Sequence, residues 1–545
     1  MPVSPFCVAS RGVRVKVLSW LKWIAIPLAV AALTFFAVRV YDVQRGPSLE
    51  VWHTYVPREL DVEGIDRTDW HGYLAQEARI FEDLRHEVSQ KLTPDERVPI
   101  NRYFEGSPVY PPHFQQDFNR SFVLEPDGAP RGVVVLLHGL TDSPYSQRHI
   151  ARLYRDHGFV ALVIRLPGHG TVPAALTQVT WEDWLAATRL AVREARRRVP
   201  APLPLHLVGF SNGGALAIKY ALDAIETPQL ARPDRIVLIS PMIGITRFAR
   251  FAGLAGLPAI FPAFAKAAWL AVLPEFNPFK YNSFPVNGAR QSYRLTQVLQ
   301  QQIVDLRRSG RLSELPPILT FQSVMDFTVS TPAIISGLYA QLPANGSELV
   351  LFDVNRTVKF GPLLRPSADT ALNRLLPPAI RSYRTTIITN ATEDSSNVEE
   401  HSIEAGDMNE RRRPLETSYP DGMYSLSHVA LPFPMNDALY GMTPDKTESF
   451  GPNLGALAPR GERNVLITSL DALLRVASNP FFPYLAERIA QDIDHPTAPA
   501  AAGTASVAPM DASKDIGASS SPNEATTASP WTAGPMVNDP SDLPP

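Results

Sequence analysis

The chain has 545 residues, 45% of them hydrophobic and 19% charged, with a formal net charge of -3. That length suggests more than one structural unit and leaves ample chain for a large core. A near-neutral balance without a dense basic patch argues against nucleic acid as a partner, and Cys7, the only cysteine, excludes an intrachain disulfide and a cysteine-based zinc site.

In chain order, the first feature is Leu18 to Val40, nearly all apolar with Lys22 close to its start. Its length is about the 20 residues that cross a bilayer. Trp20 and Trp23 at one end and Tyr41 at the other suit the interface. Arg11, Arg14 and Lys16 precede the run and place residues 1–17 in the cytoplasm, although Arg39 and Arg45 follow it. The expectation is a single-pass anchor over 18–40, with the rest of the chain on the far side, periplasmic or extracellular. A cleaved signal peptide competes with this reading. Its only A-x-A pattern, Ala29 to Ala31, lies inside the apolar run and leaves too short a core before it.

Residues 41–120 form an N-terminal extension. Within it Asp69 to Lys91 is expected to be an amphipathic helix, with Leu74, Phe81, Leu84 and Val88 at helical spacing. Beyond 120 the pattern alternates as in α/β proteins. Short β-branched runs at Val133–Leu137, Val160–Ile164, Leu205–Val208, Ile236–Ile239, Ile318–Phe321 and Leu349–Phe352 read as buried parallel strands. Ser146–His157, Trp181–Arg198 and Gly214–Ile225 read as helices. Ile243 to Leu273, rich in Phe, Ala and Leu, interrupts the alternation and is expected to lie in an apolar cap over a cleft, about 241–300. About 355–423 is polar and is expected to be an insertion, with a hairpin near Arg384–Thr389 as one reading of part of it. Residues 491–545, mostly Ala, Ser, Pro and Thr, lack the apolar surface to fold and are expected to be a disordered tail.

The chemistry centres on Gly209-Phe210-Ser211-Asn212-Gly213, a G-x-S-x-G pattern. A strand precedes it at Leu205–Val208 and a helix follows from Gly214, so Ser211 falls on a sharp strand-to-helix turn. A serine hydroxyl needs a base to act as a nucleophile. The acid and histidine are expected after later strands, in that order. Asp326, after Ile318–Phe321, is preferred as the acid over Asp353. His428, in a short apolar stretch, is preferred as the base over His401. The loop His138-Gly139-Leu140 follows an early strand, so the backbone N–H groups of Leu140 and Asn212 are the expected oxyanion-hole donors. His138 is expected to brace that loop.

His138-Gly139-Leu140, Pro167-Gly168-His169-Gly170, Gly209–Gly213, Asp326 and His428 together resemble the α/β-hydrolase superfamily, in its monoacylglycerol lipase-like and bacterial carboxylesterase-like branch. The likeness spans roughly Ser121 to Tyr440. It implies an α/β-hydrolase fold over 121–490, a mostly parallel central sheet flanked by helices with an apolar helical cap. It implies a structural role for His169 and a Ser211–His428–Asp326 triad that cleaves carboxylic esters through an acyl-enzyme, with no metal or organic cofactor. With the apolar cap and anchor, a lipid or acyl-glycerol ester is the expected substrate. A serine peptidase or amidase on the same fold, and a non-catalytic hydrolase-fold membrane scaffold, are the competing functions.

Overall fold

The computed structural model describes residues 44–244, 262–358, 360–456 and 475–495, together with most of 23–41. The expected cytoplasmic segment 1–17, the apolar middle of the expected cap and the expected disordered tail from 496 onward lie outside the described residues.

A ten-stranded sheet organises these residues, in the order β1-β3-β2-β4-β5-β8-β9-β10-β11-β12. The strands are β1 Phe122–Leu124, β2 Gly132–Leu137, β3 Phe159–Ile164, β4 Leu205–Phe210 and β5 Arg235–Ile239, then β8 Ile318–Ser323, β9 Glu348–Phe352, β10 Arg384–Asn390, β11 Asn397–Ile403 and β12 Glu410–Ser418. A separate two-stranded pair is made by β6 Trp269–Ala271 and β7 Phe284–Pro285. From β3 through β10 every pairing in the large sheet is parallel. β1 closes one edge antiparallel, and β11 and β12 extend the other antiparallel. β2 to β5 and β8 to β9 are buried along their whole length. A strand covered on both faces has no solvent-facing side to alternate with, hence their mostly apolar runs.

The helices are α1 Trp70–Glu87, α2 Arg148–Asp156, α3 Trp181–Arg198, α4 Asn212–Glu226, α5 Val286–Arg308 and α6 Phe482–Asp494. Successive strand residues point to opposite faces, and two cores result. Val133, Val135, Leu207 and Leu238 pack with residues of α3, α4 and α5. Val134, Leu136, Val208, Val237 and Phe321 pack with Ile150 and Tyr154 of α2 and with Leu485, Ile489 and Ile493 of α6. α6 is also pinned by charge: Asp494 meets Arg131 at 3.1 Å and His157 at 3.0 Å, and Asp492 pairs with Arg235. α1 occupies most of the stretch read as amphipathic. Its N-cap Asp69 accepts from Gly72, and Tyr73 reaches back to donate to the Arg165 carbonyl at 2.7 Å.

Three expectations change. The polar insertion at 355–423 contains three strands, β10, β11 and β12, the first of them over the stretch where a hairpin is one reading of the sequence. Charge does not prevent burial there, because Glu400 on β11 is paired with Arg413 at 2.6 Å and with Arg384 at 3.3 Å. In the expected cap, residues 245–261 lie outside those described. The described remainder contains the β6–β7 pair and α5, whose Leu295, Leu299 and Ile303 are core residues, so an apolar helical cap is not confirmed. The expected transmembrane span is not supported. Among the described residues no helix is long and apolar enough to cross a membrane, because residues 18–22, 24, 32, 35 and 39 of that span fall outside them and the continuous stretches left are shorter than the roughly 20 residues required.

Candidate active site

Ser211 stands between the end of β4 and the start of α4 with φ 54° and ψ -115°. A non-glycine residue rarely adopts positive φ, at a cost of about 1–3 kcal/mol. The surrounding backbone holds it there. Ser211 N–H donates to Ile239 O at 3.0 Å on β5, and its carbonyl accepts from Gly214 and Met242 at 3.0 and 2.9 Å. The flanking glycines are steric necessities. A Cβ on Gly209 would collide with the Gly213 carbonyl, and one on Gly213 with the Leu137 and His138 carbonyls. The G-x-S-x-G spacing thus lets α4 start hard against β2 and β4 and lifts the serine out of the turn.

The structure brings the three expected side chains together. His428 Nε2 lies 3.0 Å from Ser211 Oγ, and His428 Nδ1 lies 2.8 Å from Asp326 Oδ2. Asp326 sits in the loop after β8, where Oδ1 accepts from the backbone N–H of Thr328 at 2.7 Å and Val329 at 3.0 Å. Burial alone would push its carboxyl pKa up. The charge and hydrogen bond of His428 and the two N–H groups outweigh that and hold it below the ordinary value. His428 opens a short 3-10 turn, with its ring stacked on Phe210 at 5.3 Å between centroids. Ser323 at the end of β8 donates to the Leu426 carbonyl at 2.9 Å, and Ser427 donates to Val476, so the chain entering His428 is fastened. The competing residues are engaged elsewhere. Asp353 pairs with Arg356 at 2.8 Å and accepts from Thr389 at 3.0 Å. His401, on β11, lies beside Glu399 and Glu410.

The donor loop faces the serine: the Cα of Gly139 backs onto Phe210 and the Ser211 Cβ. His138 is buried, which drives its imidazole pKa well below normal and keeps the ring neutral. Nδ1–H then donates to the Gly139 carbonyl at 2.9 Å while Nε2 accepts from Leu166 N–H at 3.0 Å. The ring thereby ties the loop after β2 to the loop after β3. Asn212 is the first residue of α4, where a helix leaves its N–H groups without intrahelical acceptors. Leu140 and Ser211 share the wall of one cavity. His169 is buried, its pKa lowered to about 3 by burial, and it lies edge-on to Trp184.

That cavity has a volume of about 400 Å³ and opens over Ser211 and His428, with Met242, Phe284, Ala289 and Val329 among its apolar walls. Sequence reasoning missed its charged members, Asp142, Lys280 and Arg475. No local pattern marks them, because they converge from three distant segments. It also missed Asp437, which is buried and binds Arg148 at 2.6 Å, His149 at 2.9 Å and Tyr145 at 3.0 Å, fixing the chain that leaves His428. Among the described residues no cluster of His, Cys, Asp and Glu is arranged to hold a metal ion.

Residues 128–353 match the family model described as serine aminopeptidase, S33. A thermostable monoacylglycerol lipase of Bacillus sp. (strain H-257) is 32% identical over 95 residues, 17% of this chain and 36% of that protein. The phospholipase YtpA of Bacillus subtilis (strain 168) is 26% identical over 117 residues, 21% of this chain and 42% of that protein. The chain thus spans less than half the length of these two curated relatives. Among solved structures, one described with the metagenome-derived lipolytic enzymes LipS and LipT is 23% identical, covers 44% of this chain and 88% of its own, and has a TM-score of 0.34. These matches support the resemblance read from the sequence, to the α/β-hydrolase superfamily in its monoacylglycerol lipase-like branch. The two curated relatives are a lipase and a phospholipase.

Proposed function

We propose that the protein is a serine hydrolase that cleaves carboxylic esters of lipid or acyl-glycerol type. One observation carries the reading: a strained Ser211 whose hydroxyl meets His428, itself held by Asp326, at the floor of a largely apolar cavity. In this mechanism His428 Nε2 takes the Ser211 proton as Oγ attacks the ester carbonyl. The oxyanion of the tetrahedral intermediate rests on the N–H groups of Leu140 and Asn212. His428 then passes the proton to the departing alcohol. Water, deprotonated by the same ring, releases the carboxylic acid from the acyl-enzyme. Asp326 holds the ring in the tautomer with Nδ1–H and balances the imidazolium. The segment 241–300, which supplies Met242, Phe284 and Ala289 to the cavity, serves as its cap.

A serine peptidase or amidase is the second reading, favoured by Asp142, a carboxylate on the cavity wall able to accept an amine. Lys280 on the same wall opposes it. The deciding experiment is a panel of acyl esters and aminoacyl amides run on wild type and Ser211→Ala. Esters are expected to be hydrolysed, with Ser211→Ala reduced to a trace and no longer labelled by a fluorophosphonate. Undiminished ester cleavage by Ser211→Ala would overturn the mechanism. A wild-type chain that neither cleaves nor labels would leave a non-catalytic scaffold. Attachment through residues 18–40, with the hydrolase domain periplasmic or extracellular, rests on the apolar run and on Arg11, Arg14 and Lys16. Protease accessibility of the domain in intact and opened cells tests it.

A further inference from the structure

Three charged side chains in the cavity have no task in ester cleavage as described. Lys280 lies in the loop between β6 and β7, and that loop is firmly built. Buried Glu275 accepts from the N–H groups of Asn282 at 3.0 Å and Ser283 at 2.7 Å. Tyr281 N–H donates to Thr141 O at 2.8 Å, and the Tyr281 hydroxyl donates to Gly168 O at 3.0 Å. Arg475 arrives from the far end of the chain and donates to Thr328 Oγ1 at 2.9 Å, on the loop that carries Asp326. Asp142 follows the oxyanion loop. It is buried, and its Oδ2 has no hydrogen-bond partner among the described residues. Asp142 attracts Lys280, Arg475 repels it, and burial pulls the Lys280 ammonium pKa down.

These three residues also line a second cavity of about 340 Å³, walled by Phe276, Phe433 and Leu454. They therefore stand where the space over Ser211 adjoins a second apolar space, with two cations against one carboxylate. A half-buried cation beside an apolar chamber gains most from an anion that replaces its lost water.

Taking the ester-hydrolase reading as given, we propose that the substrate carries a negatively charged phosphate or carboxylate group near the scissile ester, received by Lys280 and Arg475. An acylated polyol phosphate has this chemistry, whereas a neutral monoacylglycerol lacks the anion.

The test compares 1-decanoylglycerol, its 3-phosphate and decanoylcholine as substrates of the full chain. The phosphate ester is expected to exceed the neutral ester at least about tenfold in kcat/KM, chiefly through KM, with the cationic ester poorest. Lys280→Gln and Arg475→Gln are each expected to shrink that ratio at least about fivefold, and Lys280→Arg to restore much of it. Thermal melting and fluorophosphonate labelling confirm that each variant is folded. A second arm measures decyl phosphate binding to Ser211→Ala by calorimetry and needs no turnover. Weaker binding in the added Lys280→Gln change supports the proposal even if no ester is cleaved, which would sink the hydrolase reading alone. Equal use of neutral and phosphate esters, or decyl phosphate binding indifferent to Lys280, would overturn it. Inhibition by inorganic phosphate as strong as by decyl phosphate would also overturn it, because that marks a free-anion site.

Discussion

Replacing Asp326 by Asn tests the link between geometry and chemistry with the smallest change in shape. The Asn oxygen can keep accepting from Thr328 and Val329, which hold Asp326 Oδ1 at 2.7 and 3.0 Å. The amide nitrogen then occupies the place of Oδ2, 2.8 Å from His428 Nδ1. It can only donate there, so Nδ1 has to accept and the ring proton moves to Nε2. Nε2–H would face Ser211 Oγ across 3.0 Å and could no longer take its proton. The imidazolium would also lose its counter-charge. A wrong tautomer of this kind costs about 10⁴-fold in kcat, equivalent to about 5.5 kcal/mol in the barrier. The assay is kcat and KM on a short-chain ester, with the rate of fluorophosphonate labelling as a second readout. Labelling should slow in step with kcat, while KM changes little. Asp353→Asn serves as the contrast, because Asp353 is spent on Arg356 and Thr389. If Asp326→Asn kept activity within about tenfold of wild type, or if Asp353→Asn proved the more damaging, Asp326 would not be the group that orients the base.

Three further outcomes follow from the same geometry. Gly213→Ala should yield chain that is insoluble or unlabelled at Ser211, since the added methyl meets the Leu137 carbonyl and overpacking costs about 1–3 kcal/mol or more; normal yield and labelling would contradict the account of the elbow. Asp437→Ala should lower stability to urea by about 3 kcal/mol, because it leaves the buried Arg148 guanidinium with only the longer contact to Glu448 at 3.4 Å; a loss below about 1 kcal/mol would show the pair to be dispensable. Burial raises the Asp142 carboxyl pKa to about 6. Its folded pKa thus exceeds the unfolded one, so its contribution is full below the unfolded value and is lost as pH rises through about 6. With a shift of about two pKa units, Asp142→Asn should spare the protein up to about 3 kcal/mol of that loss between about pH 4 and pH 8. Parallel urea-stability curves for the two proteins would contradict it.

How much the sequence disclosed depended on whether the signal was local. The strand, turn and helix around Ser211 sit within about twenty consecutive residues, and their apolar runs leave one arrangement. α3 likewise coincides with the span read from its periodicity, Trp181–Arg198. A hairpin reading near Arg384–Thr389 touched β10, but β11 and β12 were hidden because their polar residues are balanced across strands. On β11, Val398, Glu400 and Ser402 are buried in alternation, and Glu400 needs partners from β10, β12 and α6 to be so. A window along one strand shows only the charge. The β-branched run Thr385–Thr389 was the available clue to sheet structure there. The contact between Asp326 and His428 was anticipated from chain order and from the short apolar stretch around His428. Lys280, Arg475 and Asp142 were not, since only folding brings them together.

The position of α6 bears on how the protein is made. One face of the central strands is covered by α2, which emerges early, and by α6, whose Leu485, Ile489 and Ile493 come last among the described residues. Roughly 350 residues separate β2 from α6, which at about 5–20 residues per second is on the order of 20–70 s of synthesis. Through that interval part of the apolar face of Leu136, Val208 and Val237 has no cover from its own chain. Ser211 leaves the ribosome long before His428. On the mechanism proposed above, the nascent chain would carry its nucleophile without a base until residue 428 has been made.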